Sequence, residues 1–313
     1  MYYFNYTVWF AYDPKYYLQL HREGFICSTY DKETGKKLLT ELPKLIDNNS
    51  PVDLYAYALA LYQNGDRIDK DKAFYLFDKL IDKDYLPAIN AYAVCLFDGI
   101  CATKNLPGAA RMFKKASDLG CVTAKYNLGN AYLNGYGVDI DIPLGTSLIE
   151  DAASRGNTSA LHALGTFYYQ GKYGYPKDYN SSFNYFKEAS IHYQAKAAYI
   201  LADMYIKGLG CDKDIEKGLK EYQHAASLDH VPSQKFLGDV YYYGNMAPKD
   251  IDRAYSNYLR AAENGDDYAM YSVGYMIVKG EVFWVDKSIG IDWLKKASKL
   301  GNSEATKLLN YYN

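Results

Sequence analysis

Histidine, serine and lysine are among the side chains of this 313-residue chain that could act as metal ligands or catalytic groups. No two histidines have the H-x-x-x-H or H-E-x-x-H spacing that places metal ligands on one helix face. No S-x-x-K is present either, so the nucleophile and lysine of a β-lactamase-like hydrolase are missing. We therefore expect no catalytic site, no metal and no cofactor. The five histidines are His21, His162, His192, His224 and His230.

The cysteines form no C-x-x-C pair and their number is odd, which argues against a zinc site or a complete disulfide framework. We interpret them as buried thiols of a protein in the cytoplasm. The N-terminal residues lack the basic segment of a signal peptide, and no stretch of 18 apolar residues predicts a membrane span. The five cysteines are Cys27, Cys95, Cys101, Cys121 and Cys211.

Tyrosine is the unusual feature of the composition, with 36 Tyr against 12 Phe. Its apolar ring and polar hydroxyl suit interfaces that are partly hydrated, although a biased coding sequence would give the same excess. The formal net charge is only −2, so the composition gives no electrostatic reason to expect nucleic acid or an anionic membrane as a partner. The side-chain chemistry therefore favours protein binding.

A short motif recurs along the chain at nearly constant spacing. The segment Ala124-Lys-Tyr-Asn-Leu128-Gly129 has counterparts that begin at Asp53, Ala88, Ala160, Ala197, Ser233 and Ala269. Successive starts differ by 35 to 37 residues, which is the period of a helical repeat protein. Leu128 and Tyr132 follow Ala124 at helical spacing, and Gly135 and Gly137 then end this first helix.

A second helix is predicted in each repeat, beginning after an aspartate that suits the N-cap. A small residue, a bulky apolar residue and an alanine follow at spacings of four, four and three, which is one face of a helix. The glycines within the first helix, such as Gly129, predict close contact with this second helix, because a helical glycine must be offset by packing. The capping aspartates are Asp141, Asp178, Asp214, Asp250 and Asp286.

These features predict an all-α fold, a right-handed superhelical α/α solenoid of helix-turn-helix repeats of about 36 residues. Residues 1–52 form an N-terminal segment with a capping helix from Lys32 to Asp47, broken or kinked at Pro43, and Pro14 can begin a helix through Arg22. Residues 53–304 hold seven repeats, and residues 305–313 form a C-terminal capping helix. The repeats are 53–87, 88–123, 124–159, 160–196, 197–232, 233–268 and 269–304.

The repeats resemble the Sel1-like family, a relative of the tetratricopeptide repeats. Its first-helix pattern A-x-x-x-L-G-x-x-Y-x-x-G-x-G is matched in full from Ala124 to Gly137, and Asp250 to Ala254 resembles its second-helix opening, with Arg253 in place of lysine. Leu61 and Leu96 depart from the tyrosine position, so the first two repeats are divergent. The resemblance implies that the first helices line a concave groove.

The groove is the predicted binding site for a peptide or a protein partner. Ring faces and amides supply contact area and backbone hydrogen bonds at low entropic cost. Some of these tyrosines could instead only pack between neighbouring repeats. The predicted site residues are Tyr126, Asn130, Asn134, His162, Tyr169, Gln170, Tyr199, Asp203, Lys207, Asp239, Tyr242, Tyr243 and Tyr271.

We therefore predict a non-enzymatic scaffold or adaptor for a protein partner, with no nucleic acid and no membrane insertion. The resemblance implies an alternative, an activator or regulatory subunit that docks a catalytic partner of the membrane-synthase or ubiquitin-ligase type. A weak hydrolase-like enzyme is the third possibility, and it lacks an acid, base or nucleophile with a positioned neighbour.

Overall fold

The computed structural model describes residues 13–22, 32–191 and 194–312 of the chain. Cys27, His192 and most of the first 28 residues lie outside this part. All regular secondary structure in the described residues is α-helical, which confirms the predicted all-α fold. None of these helices is both long and apolar enough to cross a bilayer. The chain divides into two compact units, Met1–Lys177 and Asp178–Asn313.

Unit 1 contains nine helices within its described residues. They are α1 (Pro14–Arg22), α2 (Lys32–Leu45), α3 (Pro51–Asn64), α4 (Arg67–Ile81), α5 (Leu86–Asp98), α6 (Leu106–Asp118), α7 (Val122–Asn134), α8 (Ile142–Ser154) and α9 (Thr158–Gln170). Helices α3 to α8 pack as three consecutive hairpins, and α9 packs on α8. Helix α2 continues past Pro43 to Leu45, so the predicted break does not occur. Since Pro43 lies in the last turn, few helical hydrogen bonds depend on it.

Unit 2 contains eight helices within its described residues. They are α10 (Tyr179–Ile191), α11 (Ala195–Lys207), α12 (Ile215–Ser227), α13 (Val231–Tyr243), α14 (Ile251–Glu263), α15 (Asp267–Val278), α16 (Lys287–Lys299) and α17 (Ser303–Tyr312). Each helix packs on the next, and one core of alanines, leucines and tyrosines runs through the stack. Each unit is thus a solenoid of helical hairpins.

The hairpin turns have the predicted capping chemistry. Asp141, Asp214 and Asp250 each accept a hydrogen bond from the backbone N–H three residues later, at 2.9 to 3.0 Å. The backbone N–H of each aspartate also donates to a carbonyl of the preceding first helix, for example Asp141 to Tyr132 at 3.1 Å. One residue therefore both starts the second helix and joins it to the first.

Paired glycines bring the two helices of a hairpin into close contact. A Cβ placed on Gly129 would lie 2.9 Å from the carbonyl oxygen of Gly145, and one on Gly274 would lie 2.8 Å from that of Gly290. Neither hairpin has room for a side chain at these positions. The structure therefore gives the packing reason that the sequence predicted for glycine inside the first helix.

The N-terminal helices of unit 1 are joined to the first repeat through a buried carboxylate. Asp53 is fully buried and accepts a hydrogen bond from the Arg22 Nε at 2.8 Å. The backbone N–H of Asp47 donates to the same carboxylate at 2.9 Å. These hydrogen bonds, with the Arg22 guanidinium first among them, hold the pKa of Asp53 below its ordinary value. The ion pair between Arg22 and Asp53 therefore fixes α1 against α3.

Candidate protein-interaction surface

The predicted groove residues of unit 1 lie on two first helices. Tyr126, Asn130 and Asn134 are on α7, whereas His162, Tyr169 and Gln170 are on α9. All six are half-buried or exposed, so none has been taken into the core. Their side chains are therefore accessible to a binding partner.

The α11 residues of the predicted site are engaged within unit 2. Asp203 accepts a hydrogen bond from the Tyr222 hydroxyl at 3.1 Å and forms an ion pair with Lys207. The Tyr199 ring packs edge-on against Tyr222, at a centroid distance of 5.5 Å, and contacts His230 at 5.0 Å. Tyr199, Asp203 and Lys207 therefore already make several contacts within the protein.

The predicted residues of α13 and α15 surround a pocket of about 300 Å³ in unit 2. Tyr242 and Tyr243 come from the end of α13, and Tyr271 comes from α15. Tyr258 and Tyr268, which were not among the predicted site residues, also line it. The complete lining is Tyr242, Tyr243, Tyr258, Tyr268, Tyr271, Ser272, Tyr275 and Met276. We call this the tyrosine pocket.

Asp239 lies behind the tyrosine pocket and orders two of its rings. Its Oδ1 accepts hydrogen bonds from the Tyr258 hydroxyl at 2.6 Å and from the Tyr268 hydroxyl at 3.0 Å. Burial, and then the carboxylate of Asp239, raise the pKa of both phenols above the ordinary value. Both hydroxyls therefore stay protonated and act as donors to Asp239.

Glu281 plays a similar part on another side of the tyrosine pocket. Its Oε1 accepts a hydrogen bond from the Tyr242 hydroxyl at 3.2 Å, although Glu281 is 39 residues further along the chain. Burial and this carboxylate raise the pKa of Tyr242. The second carboxylate oxygen of Glu281 is buried and has no hydrogen-bond partner among the described residues. The turn after α15 thus contributes a carboxylate that the sequence analysis did not select.

Three lysine ammonium groups lie over aromatic rings of the tyrosine pocket. The Nζ of Lys249 is 5.4 Å from the Tyr242 centroid, and that of Lys279 is 5.7 Å from the Tyr275 centroid. Lys235 lies 5.7 Å from the Tyr268 centroid and pairs with Asp266 at 3.0 Å. These contacts are cation–π interactions, so the rings of this site already attract cations.

A serine, a glutamate and a histidine meet elsewhere in unit 2, but not as a catalytic triad. The Ser190 hydroxyl donates to Glu221 at 2.9 Å, and His224 Nδ1 is 3.4 Å from the same hydroxyl. Glu221 also lies 3.7 Å from this nitrogen. In a triad the serine and the acid contact different ring nitrogens of the histidine. This arrangement therefore does not activate Ser190 as a nucleophile.

Fold and site together define a repeat protein that presents aromatic side chains from stacked helical hairpins. The Sel1 repeat family matches seven segments, and the chain belongs to this family. The matched residues are 53–85, 86–121, 122–157, 158–191, 195–230, 231–266 and 267–302. Repeats of this family are protein-interaction modules, as the sequence predicted.

Two similar fungal proteins are named as regulators. Chitin synthase regulatory factor 3 of Schizosaccharomyces pombe is 30% identical over 253 residues, which cover 78% of this chain and 27% of that protein. The chitin synthase regulator SKT5 of Saccharomyces cerevisiae is 29% identical over 64% of this chain and 30% of its own length. The chain therefore spans less than a third of either relative.

Solved structures agree with the fold. A Sel1 repeat protein from Oxalobacter formigenes is 26% identical, with a TM-score of 0.64 over 79% of this chain and 99% of that chain. The SLR-fold antigen c5321 of uropathogenic Escherichia coli has a TM-score of 0.63 over 87% of this chain and 58% of that chain, at 22% identity. The second likeness concerns the fold alone.

Proposed function

We propose that this chain is a non-enzymatic adaptor, and that the tyrosine pocket of unit 2 receives a segment of its protein partner. The pocket is the observation that carries the proposal. It is concave and aromatic, and it contains convergent polar groups, as ligand sites usually do. Tyrosine is also among the residues that most often dominate binding energy at protein interfaces. The surface of α7 and α9 remains a second, less defined candidate.

The names of the fungal relatives favour one kind of adaptor, a regulator that docks a catalytic partner. Both are named for the regulation of chitin synthase. By analogy, the partner of this chain would be an enzyme whose activity changes when the pocket is filled. We place this activity in the cytoplasm, because the four cysteines of the described residues are free thiols, as a reducing compartment would keep them.

The pocket can be tested by crosslinking and then by affinity. A photoreactive phenylalanine analogue at position 243 should capture the partner in cells, since Tyr243 is 64% exposed at the pocket edge. With the captured protein purified, Tyr243→Ala combined with Tyr271→Ala should weaken its binding by about 2 kcal/mol or more.

A matched control exists in unit 1. Tyr75 on α4 is also 64% exposed but lies outside the pocket, so Tyr75→Ala should leave the affinity unchanged. Circular dichroism of each variant verifies that the helices are intact. Equal affinity of the partner for the unaltered chain and the double pocket variant would refute the proposed site.

A further inference from the structure

Three tyrosine hydroxyls of the tyrosine pocket already donate their protons within the protein. The hydroxyl protons of Tyr242, Tyr258 and Tyr268 are all donated to carboxylates of the protein itself. A phenol that has donated its proton still offers lone pairs, so these three oxygens can only accept from a ligand. A ligand that reaches these three oxygens must therefore supply hydrogen-bond donors.

Charged groups of both signs contact the pocket rings. Asp239 and Glu281 accept hydrogen bonds from pocket tyrosines, and the buried second oxygen of Glu281 lacks a donor among the described residues. Of the cations nearby, Lys235 is paired with Asp266. Lys249 and Lys279 are exposed side chains that lie over Tyr242 and Tyr275. These two ammonium groups already occupy ring faces that a ligand cation could take, and their long side chains can move aside.

We propose that the tyrosine pocket takes the guanidinium of an arginine from the partner segment. This inference rests on the proposed function, because it names the group that the same pocket recognises. A guanidinium stacks on aromatic rings and carries five N–H donors and no acceptor, which complements an acceptor-rich aromatic pocket. Lysine has only three donors on a compact, strongly hydrated ammonium group and cannot stack.

The test compares two blocked tripeptides, acetyl-Gly-Arg-Gly-amide and its citrulline analogue. Citrulline keeps the shape of arginine and removes the charge. Titrated into the full chain carrying isotope-labelled tyrosines, the arginine peptide should shift the signals of Tyr243 and Tyr271 and bind about tenfold more tightly than citrulline. Equal affinities, or shifts confined to tyrosines outside the pocket, would overturn the inference.

The repeat supplies a matched pair of variants. Asp203 lies 36 residues before Asp239 and accepts from Tyr222 as Asp239 accepts from Tyr258, but Tyr222 is not part of the pocket. Asp239→Asn should remove most of the preference for arginine over citrulline, whereas Asp203→Asn should leave it unchanged. The same loss in both variants would assign the effect to stability and contradict the inference.

The two proposals fail separately. A citrulline peptide that binds the pocket as tightly as arginine overturns the choice of ligand but leaves the pocket as an interaction site. A native partner that ignores the double substitution at Tyr243 and Tyr271 overturns the proposed function, whatever the tripeptides do.

Discussion

His21 is a titratable side chain that is buried inside unit 1, where its charged form is disfavoured. It is 6% exposed, and its Nε2 has no hydrogen-bond partner among the described residues. Its ring lies between Tyr17, at a centroid distance of 4.6 Å, and Tyr55, at 6.4 Å. Burial lowers its pKa from 6.5 to about 4, because a charged imidazole would lose its hydration there.

This burial predicts an acid-sensitive N-terminal region. Above pH 6.5 the imidazole is neutral in both states, whereas between pH 6.5 and about 4 only the unfolded chain takes up the proton. Stability should therefore fall as the pH is lowered through this window, by roughly 2 kcal/mol at pH 5 from His21 alone.

The variant His21→Leu should lack this contribution. Urea unfolding at pH 7.5 and pH 5 measures it as the difference between the pH-dependent losses of the two proteins. Comparing the two losses cancels the other groups that titrate in the same range. If both proteins lose the same free energy between the two pH values, the histidine is not responsible.

The sequence predicts some residues of the tyrosine pocket but not others. Tyr242, Tyr243 and Tyr271 were among the predicted site residues because their positions depend only on helix periodicity. Tyr268 and Glu281 were missed because they act through contacts 29 and 39 residues apart in the chain. Such contacts depend on how neighbouring hairpins stack, for which the local pattern contains no signal.

At the scale of the element, the second helix of a hairpin depends on its capping aspartate. Asp141→Ala should destabilise unit 1 by about 1 kcal/mol, because the N–H of Leu144 loses its acceptor. Asp139→Ala is the control, since Asp139 is exposed in the same turn and is not the N-cap of α8. Chemical denaturation measures both, and an equal effect would indicate general charge removal.

Most elements were predictable because local chemistry marks their ends. Aspartate and glycine set the limits of the hairpin helices, and Pro14 marks the start of α1. The exception is Pro43, where the helix continues to Leu45 because a proline in the last turn removes few helical hydrogen bonds.

At the scale of the whole molecule, each helix of unit 2 packs mainly on its chain neighbours, so damage there should spread only a short way. Leu201 is 1% exposed on α11, and Leu201→Asp would bury an unpaired charge at a cost of several kcal/mol. Hydrogen exchange should lose protection first in α10 to α13 and least in α16 and α17.

Ser256→Asp, on the exposed side of α14, is the control and should leave the exchange pattern unchanged. Uniform loss of protection across the chain in Leu201→Asp would mean that the array unfolds as one cooperative body. That outcome would contradict coupling limited to neighbouring hairpins.

Asp239, which orders the tyrosine pocket, accepts one hydrogen bond from its own hairpin and one from the next hairpin. Asp239 and Tyr258 lie in one hairpin, as Asp203 and Tyr222 do one repeat earlier. Tyr268 comes from the next hairpin, and the position 36 residues before it is Pro232. A duplicated hairpin would thus inherit its aspartate–tyrosine pair intact but depend on its new neighbour for the second tyrosine. The segment that evolution can copy is shorter than the segment that lines the tyrosine pocket.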